Sequence, residues 1–573
     1  MYLHSLSVEG FRRLGKIELR FRPGLNLLVG PNNAGKTAVI DALRVLLSTG
    51  DEGALRVTDL DLHVGPSGIP ASQATFKYIF RDLSPDEEAD FIQALKPVHE
   101  GGKIVGYEAH LAVRYSSSSL GNRLHVRRWA GEHEEASITV EMLDDLRAVY
   151  LQPLRDPAQG LRPGRASQLA RLIQSLSTPV AQQEVVDAMK DLDSALKKTE
   201  SIKETQAAIT KRHTDMLGAL LSQSLDLNLS PSDFKKVAAR LSLLVANFEV
   251  EQNGLGFNNL IYMAVVLSEL ALSKEAAYRA LLVEEPEAHL HPQLQAVLLS
   301  YLKEVETPGE GEKAVQVFLT SHSPNFAALA DLDSIGCVYQ GGDAVETFFP
   351  REVKFEKRKK EKLQRYLNVT RAELFFARRI ILVEGAAELF LVQVMAKKLG
   401  YDLKQCAVSV ISADGLNFDA FMPLFGESAL RIRVAVLSDS DESGYPALGI
   451  PPNLSDAAKV ISAASNNYVK AFFGAKTFEF ALAQLPKNRA TMLAALKEIH
   501  PIIGAELEKE LASTVPADQA KILFKGMFER GDGKTSVQKG AFGQSLAQAV
   551  LVDGLPLEVP DYIAAAIKFV CEA

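Results

Sequence analysis

A chain of 573 residues is long enough for roughly two to four domains. Hydrophobic residues make up 47% and charged residues 23%, so each domain can bury a core and a disordered chain is excluded. The 63 Lys and Arg against 71 Asp and Glu leave a net charge of −8, which excludes a histone-like polybasic binder but not a local basic patch. Cys337, Cys406 and Cys571 lie far apart with no C-x-x-C pair, which argues against a disulfide scaffold or a structural zinc site and fits a reducing cytoplasm. The opening MYLHSLSVEGFRR lacks the apolar core of a signal peptide. No apolar run approaches the roughly 18 residues that a membrane helix needs. The expectation is therefore a soluble, cytoplasmic protein with no membrane partner.

Alternation in residues 3–8 and 16–21 predicts two half-exposed strands, and Leu25–Val29 predicts a buried strand running into a Gly-rich loop. Residues 71–140 read as strand-rich. From 166 to 245 the period becomes helical, long and charged, which predicts a helical insertion and a candidate dimerisation arm. The segments 1–165 and 246–350 then form one domain around it. Residues 354–366, KFEKRKKEKLQRY, carry seven basic and two acidic side chains within a linker at 351–375. A solvated linker helix accounts for them better than a phosphate-contacting strip. Alternating strands and helices resume, and a second domain at 376–573 ends in helices.

Gly30-Pro31-Asn32-Asn33-Ala34-Gly35-Lys36-Thr37 matches G-x-x-x-x-G-K-[ST] between a strand and a helix. Glycines let the backbone aim N–H groups at phosphates, here at Asn32, Asn33, Ala34 and Gly35, while Lys36 reaches the β- and γ-phosphates and Thr37 ligates Mg²⁺. Downstream, the strand Leu281–Val283 ends in Glu284 and Glu285. The first suits the metal's water shell and the second suits the attacking water. Glu284 stands where Asp is more usual. His322, after the next strand, can contact the γ-phosphate, and Gly254 and Gly256 open a helix whose free N–H groups suit an anion.

Together with the GFRRL opening, these elements resemble the ATP-binding-cassette ATPases of the SMC, Rad50 and RecF type. That resemblance implies a signature loop at Gly254 and Gly256 capping ATP held by another subunit, and two head domains brought together by ATP. The chain departs from the transporter signature, having no L-S-G-G-Q.

The last third carries a different constellation. Strand 379–383 ends in Glu384-Gly385, with Glu388 one helical turn on; strand 408–411 ends near Asp414; strand 433–437 ends in Asp439-Ser440-Asp441. This is βαβαβ, with acids at the strands' carboxyl ends, where α/β sheets place their sites. Clustered carboxylates without His or Cys call for Mg²⁺ or Mn²⁺ and not zinc, and two such ions suit phosphodiester cleavage.

The pattern resembles the Toprim domain of topoisomerases, primases and some nucleases. Joined to such an ATPase, it resembles the overcoming-lysogenization-defect (OLD) nucleases. The fold implied is α/β: an ABC-type P-loop ATPase domain with a helical insertion, followed by a Toprim βαβαβ domain with helical C-terminal additions. The family's further Glu and Lys fall on Glu479 and Lys539, with Lys534 as rival, and Asp414 stays outside the set. In the implied mechanism Glu384, Glu388, Asp439, Asp441 and Glu479 hold two ions, a third accompanies ATP, and Lys539 offsets charge on the phosphate. The resemblance also implies DNA as substrate, a homodimer or higher assembly, a helicase-like partner and a role in anti-phage defence. The rival is a structural repair ATPase whose Toprim domain does not cut. A topoisomerase needs a nucleophilic tyrosine on a separate DNA-gripping domain, for which no room remains after residue 480, with Tyr562 as the candidate left open there.

Overall fold

Burial alternates along β1 (Tyr2–Phe11) and β2 (Leu14–Arg20), whereas β3 (Leu25–Val29) is buried at every position. This difference assigns them to different layers. The computed structural model of the protein describes all residues except 49–54, 118–122, 154–159, 165–166, 219, 230–232, 246, 274–275, 289, 343, 532–536 and 573. With β4 (Gln73–Arg81), β5 (Leu95–Glu100), β6 (Lys103–Ser117) and β7 (Leu124–Ala130), β1 and β2 form an antiparallel sheet in the order β2-β1-β4-β6-β5, with β7 also pairing β6.

β3 belongs to a second sheet. It joins β8 (Leu146–Leu151) and, after a short hairpin of β9 (Leu244–Val245) and β10 (Phe248–Glu249), β11 (Tyr278–Glu284), β12 (Gln316–Ser321), β13 (Ile335–Gly341) and β14 (Ala344–Phe348). The order is β14-β13-β3-β12-β11-β8, parallel except for β13 with β14. Leu28, Leu282 and Phe318 face the helix Lys36–Leu47 and the antiparallel sheet. Val29, Val283 and Leu319 face the helices Leu255–Leu272 and Pro292–Glu304. Both faces are covered, so the strands can be apolar throughout.

The helix Leu255–Leu272 corrects the statement that no run is long and apolar enough for a membrane: over 18 residues it is. Met263, Val266, Leu267 and Leu270 lie in the core, and Glu269 pairs with Arg147. It is a core helix of the second sheet. The helical stretch of 166–245 is also less continuous than its periodicity suggests. Helices run over Gln168–Leu176, Pro179–Leu196, Glu200–Leu217 and Phe234–Ala238, but Gly218, with φ +72°, closes the third, and 222–229 are irregular.

The third sheet is fully parallel, in the order β16 (Val408–Ser412), β15 (Arg379–Val383), β17 (Arg433–Asp439), β18 (Val469–Gly474). Ile380, Leu382, Val434 and Val436 on one face share a core with the second sheet. Ile381, Val383, Ala435 and Leu437 on the other pack under the C-terminal helices. The basic run joins the two halves: Lys354, Lys357 and Arg358 are exposed, as a solvated linker would have them, but the helix that follows is not simply solvated. Its helix Lys359–Tyr366 buries Leu363, Lys360 pairs with Asp333 at the second sheet, and Lys359 and Lys362 pair with Asp419 beside the third. With those three lysines committed to ion pairs, a phosphate strip there has lost much of its charge.

Candidate functional site

β12 lies between β3 and β11, pairing Thr320 with both Leu28 and Glu284. That register brings the loop after β3, the end of β11 and the turn after β12 to one edge, although the first is some 250 to 290 residues from the other two in sequence. Gly30 turns with φ +148°, and a Cβ there would stand 2.0 Å from the Val338 carbonyl oxygen, so only glycine fits. Gly35, with φ +108°, starts the helix carrying Lys36 and Thr37. The buried Lys36 ammonium donates to the carbonyls of Gly30 (2.6 Å) and Pro31 (3.0 Å) and lies 3.1 Å from His322 Nδ1. Burial lowers its pKa to about 8, against the opposing pull of Glu285, Glu287 and Glu284. Burial and Lys36 likewise lower the His322 imidazole.

Thr37 Oγ1 donates to one oxygen of Glu284 at 2.6 Å, and the Tyr150 hydroxyl donates to the other at 2.7 Å. Glu285 takes a left-handed turn (φ +48°) directly after the strand, and its carboxylate lies 3.3 Å from His322 Nε2. Such a backbone, at about 1–3 kcal/mol, is typically retained where a side chain must be aimed. A cavity of about 210 Å³ opens on this edge, lined by Arg12, Arg13, Asn33, Lys36, Thr37 and His322 among others. Ala34 and Gly35 also line it, while Asn32 is exposed at the loop tip. The donors and the cavity suit a nucleoside triphosphate with one divalent ion at Thr37 and Glu284. Gly254 and Gly256 do not line it. Gly254 caps the helix Leu255–Leu272 in open space, beside exposed Leu255 and Phe257.

Sequence reasoning passed over Arg12 and Arg13, although the GFRRL opening contains them. Arg13 donates to the Asn33 carbonyl, and Arg12 bridges Asp41 and Asp61. It also passed over Glu287, whose Oε1 accepts from the Ser321 hydroxyl (2.8 Å) and the His322 N–H (3.0 Å). Nothing local distinguishes that Glu from its neighbours.

The second cluster lies at the carboxyl ends of β15, β17 and β18. Glu384 follows β15 and accepts from Ser438 Oγ and the Asp439 N–H, both at 2.7 Å. Glu388 sits in the first turn of the helix Ala386–Lys398, 9% exposed. Burial, together with Glu479 and Glu384, raises its pKa to about 7 despite a backbone hydrogen bond. Asp439 ends β17, and burial beside Glu384 and Glu479 holds its carboxyl well above the ordinary range.

The sequence reading did not name β18, yet β18 completes the site. It pairs Gly474 with Asp439 and leads into the helix Phe478–Gln484, where Glu479 is buried. Glu479 accepts from Thr477 Oγ1 at 3.0 Å and lies 2.9 Å from Lys539 Nζ. Burial opposes the Lys539 charge, but Glu479, Asp439 and Glu388 more than offset it and raise its pKa. Lys539 reaches the site because its helix, Lys539–Leu551, packs against Ala386–Lys398 through Gly543, where a Cβ would stand 2.7 Å from Ala387 Cα. Lys534 lies outside the described residues. Asp441 takes a left-handed conformation (φ +51°), close enough to raise the Glu384 pKa by its charge. Asp414 is exposed and faces Arg371. Tyr562 packs against Gly474 on the helix Asp561–Cys571, part of this same domain and not a separate DNA-gripping one.

The donor chemistry, five carboxylates of which three are desolvated and raised in pKa, fits hard divalent cations. Among the described residues no three Asp, Glu, His or Cys side chains already close on one point. Like charges without a cation separate, and here Lys539 stands beside Glu479 as the counter-charge.

Family models match both halves. Residues 1–98 and 148–327 match an AAA ATPase domain. Residues 375–441 match the Toprim domain of overcoming-lysogenization-defect-like proteins. The OLD nuclease of Thermus scotoductus is 26% identical over 442 residues, 72% of this chain and 77% of that protein. The DNA replication and repair protein RecF of Roseiflexus castenholzii is 45% identical over 49 residues, 9% of this chain and 12% of its own. The solved C-terminal region of the Burkholderia pseudomallei OLD protein is 24% identical, with a TM-score of 0.25, covering 34% of this chain and 97% of that one.

Proposed function

We propose, from the premise that this chain joins an AAA-type ATPase domain to an overcoming-lysogenization-defect-type Toprim domain, that it is an ATP-regulated, metal-dependent DNA endonuclease. The observation that carries the reading is the placement of Glu384, Glu388, Asp439 and Glu479 with Lys539 at the ends of three neighbouring parallel strands. Divalent cations, when bound there, supply the Lewis acidity for attack on a phosphodiester and for loss of the leaving oxygen. The chain's own residues hold and orient. Ser438 and the Asp439 N–H fix one oxygen of Glu384, Thr477 fixes Glu479, and Lys539 supplies positive charge for the phosphate. Asp441 completes the donor set from its left-handed turn.

At the other site Lys36, which donates to two carbonyls, would turn to the phosphate oxygens of ATP; Glu284 and Thr37 would hold its ion, and Glu285 with His322 would orient the water. The common core between the second and third sheets supports mechanical coupling of nucleotide state to the nuclease. Val180, Leu192 and Met216 are 69%, 47% and 81% exposed on the helices of 166–245, which supports that segment as a homodimerisation arm. Gly254, exposed, and Gly256, half-buried, both away from the cavity, suit a contact to a second subunit's ATP. A cytoplasmic anti-phage role with a helicase-like partner completes the reading.

The test is cleavage of supercoiled plasmid with Mg²⁺ or Mn²⁺, with and without ATP, for wild type and Asp439→Ala. Nicking or linearisation that vanishes in the variant is expected. No cleavage under any of these conditions moves the structural-ATPase reading ahead.

A further inference from the structure

The divalent cations read for the proposed nuclease site offset its carboxylates locally, but a nucleic-acid backbone that runs on past them needs cations of the chain's own beside the site. The first of these cations is tied by hydrogen bonds to the D-x-D segment. Lys476 N–H donates to Ser440 Oγ at 2.8 Å and Asp441 N–H donates to the Lys476 carbonyl at 3.0 Å, so Lys476 is stitched to the carboxylate loop. Its ammonium lies 4.5 Å from the centre of the Tyr445 ring. Two further ammonium groups approach the same ring, Lys525 at 5.2 Å and Lys521 at 5.6 Å.

Tyr445 is held by packing and hydrogen bonds. Its ring meets Phe480 edge-on at 5.5 Å, its hydroxyl bonds Glu529, and the adjoining Pro446 carbonyl accepts from Gln484 at 2.7 Å. Glu529 is also the acid that pairs with Lys476, at 3.4 Å. No ion pair joins Lys521 or Lys525 to an acid among the described residues, and both are exposed. They stand four residues apart on the helix Gln519–Phe528, a like-charge spacing that disfavours a helix. Beside them runs a groove of about 460 Å³ that Lys521, Lys525 and Arg530 share with Glu506 and Glu510, and Glu506 pairs with Arg530.

We infer that Lys521 and Lys525, carried on the Tyr445 shelf, form the strip on which the DNA backbone docks beside the carboxylate site. This rests on the nuclease reading and names where its substrate is held. Ammonium groups take neighbouring phosphates, and the aromatic face, once the lysines turn to the phosphates, accepts a sugar or an unpaired base. Lys476 keeps the shelf in fixed register with Asp441 and, three residues on, with Glu479.

The experiment uses the full chain and a fluorescein-labelled 30-base-pair DNA duplex with Ca²⁺, with anisotropy followed from 50 to 200 mM salt. Lys521→Ala/Lys525→Ala is expected to weaken binding about tenfold and to lower the slope of log affinity on log salt by about 1.8, two phosphate contacts' worth. Lys521→Arg/Lys525→Arg is expected to keep wild-type affinity and slope, which a variant damaged in folding does not. If wild type binds and cuts DNA while the Ala pair binds with unchanged affinity and slope, the strip is overturned and the nuclease reading stands. If wild type neither binds nor cuts DNA, the nuclease reading falls and the strip with it. A loss confined to a matched RNA duplex overturns the assignment to DNA.

Discussion

The Tyr150 hydroxyl donates to Glu284 at 2.7 Å, and the two residues come from neighbouring strands, β8 and β11, that are 134 positions apart. Tyr150 pairs with Leu282, two residues before Glu284, so both side chains leave the same face of the sheet. The glutamate is longer than the aspartate usual in this position. Tyr150 takes one of its oxygens and Thr37 the other, which fixes the extra rotatable bond. Burial and the Glu284 contact raise the phenol pKa, so it stays a donor. Tyr150→Phe is expected to lower kcat for ATP hydrolysis about tenfold, the effect of one hydrogen bond to a charged group. Steady-state phosphate release measures it, and an unchanged kcat refutes the positioning role.

Lys36→Ala removes the buried ammonium that faces both P-loop carbonyls and His322. ATP hydrolysis is expected to be abolished, while Asp439-dependent plasmid cleavage without ATP persists. Hydrolysis that survives the substitution refutes the P-loop assignment.

Glu388 gives the metal-free protein a pH dependence. Burial holds its carboxyl at about 7 in the folded protein, against about 4.5 for an ordinary glutamate, so the folded state binds more protons than the unfolded one between those values. Stability therefore falls as pH rises from about 4.5 to 7, by up to about 3 kcal/mol, and is level above. Asp439 and Glu384 shift the same way. Urea unfolding midpoints from pH 5 to 8 without metal are expected to fall. Glu388→Gln is expected to flatten the slope, and Mg²⁺ to stabilise wild type more at pH 8 than at pH 6. A flat wild-type profile argues against the buried cluster.

Gly543→Ala places a methyl where Ala387 already stands. The helix carrying Lys539 must move, at about 1–3 kcal/mol of stability. DNA cleavage is expected to fall severalfold with ATP hydrolysis unchanged. Equal cleavage by variant and wild type, in a plasmid assay, counts against Lys539 as the cation of the site.

Deleting 166–245 removes helices on which Val180, Leu192 and Met216 stand exposed within one chain. Sedimentation is expected to give monomers. A deletion protein that sediments as the native oligomer refutes the arm.

Both centres announce themselves in the sequence where their chemistry is local. The P-loop is eight consecutive residues whose glycines, lysine and threonine act through adjacent backbone, and Glu384, Glu388, Asp439 and Asp441 sit at the ends of apolar strands short enough to read by composition. Non-local partners were not legible from the residues themselves, and Glu479 and Lys539 were named only through the family resemblance. β18 is the short, mixed segment VKAFFG, and its worth lies in pairing Gly474 with Asp439. Tyr150 has no sequence signal near Glu284. The basic run 354–366 reads as solvated until Asp333 and Asp419 are placed beside it. Lys539 is carried to Glu479 by a glycine contact between two helices 150 residues apart. The sequence by itself determined the motifs, because covalent neighbours share one backbone. Strand register and helix packing decided which distant hydroxyl, carboxylate or ammonium meets each one, because those distances depend on the whole core and not on any segment of it.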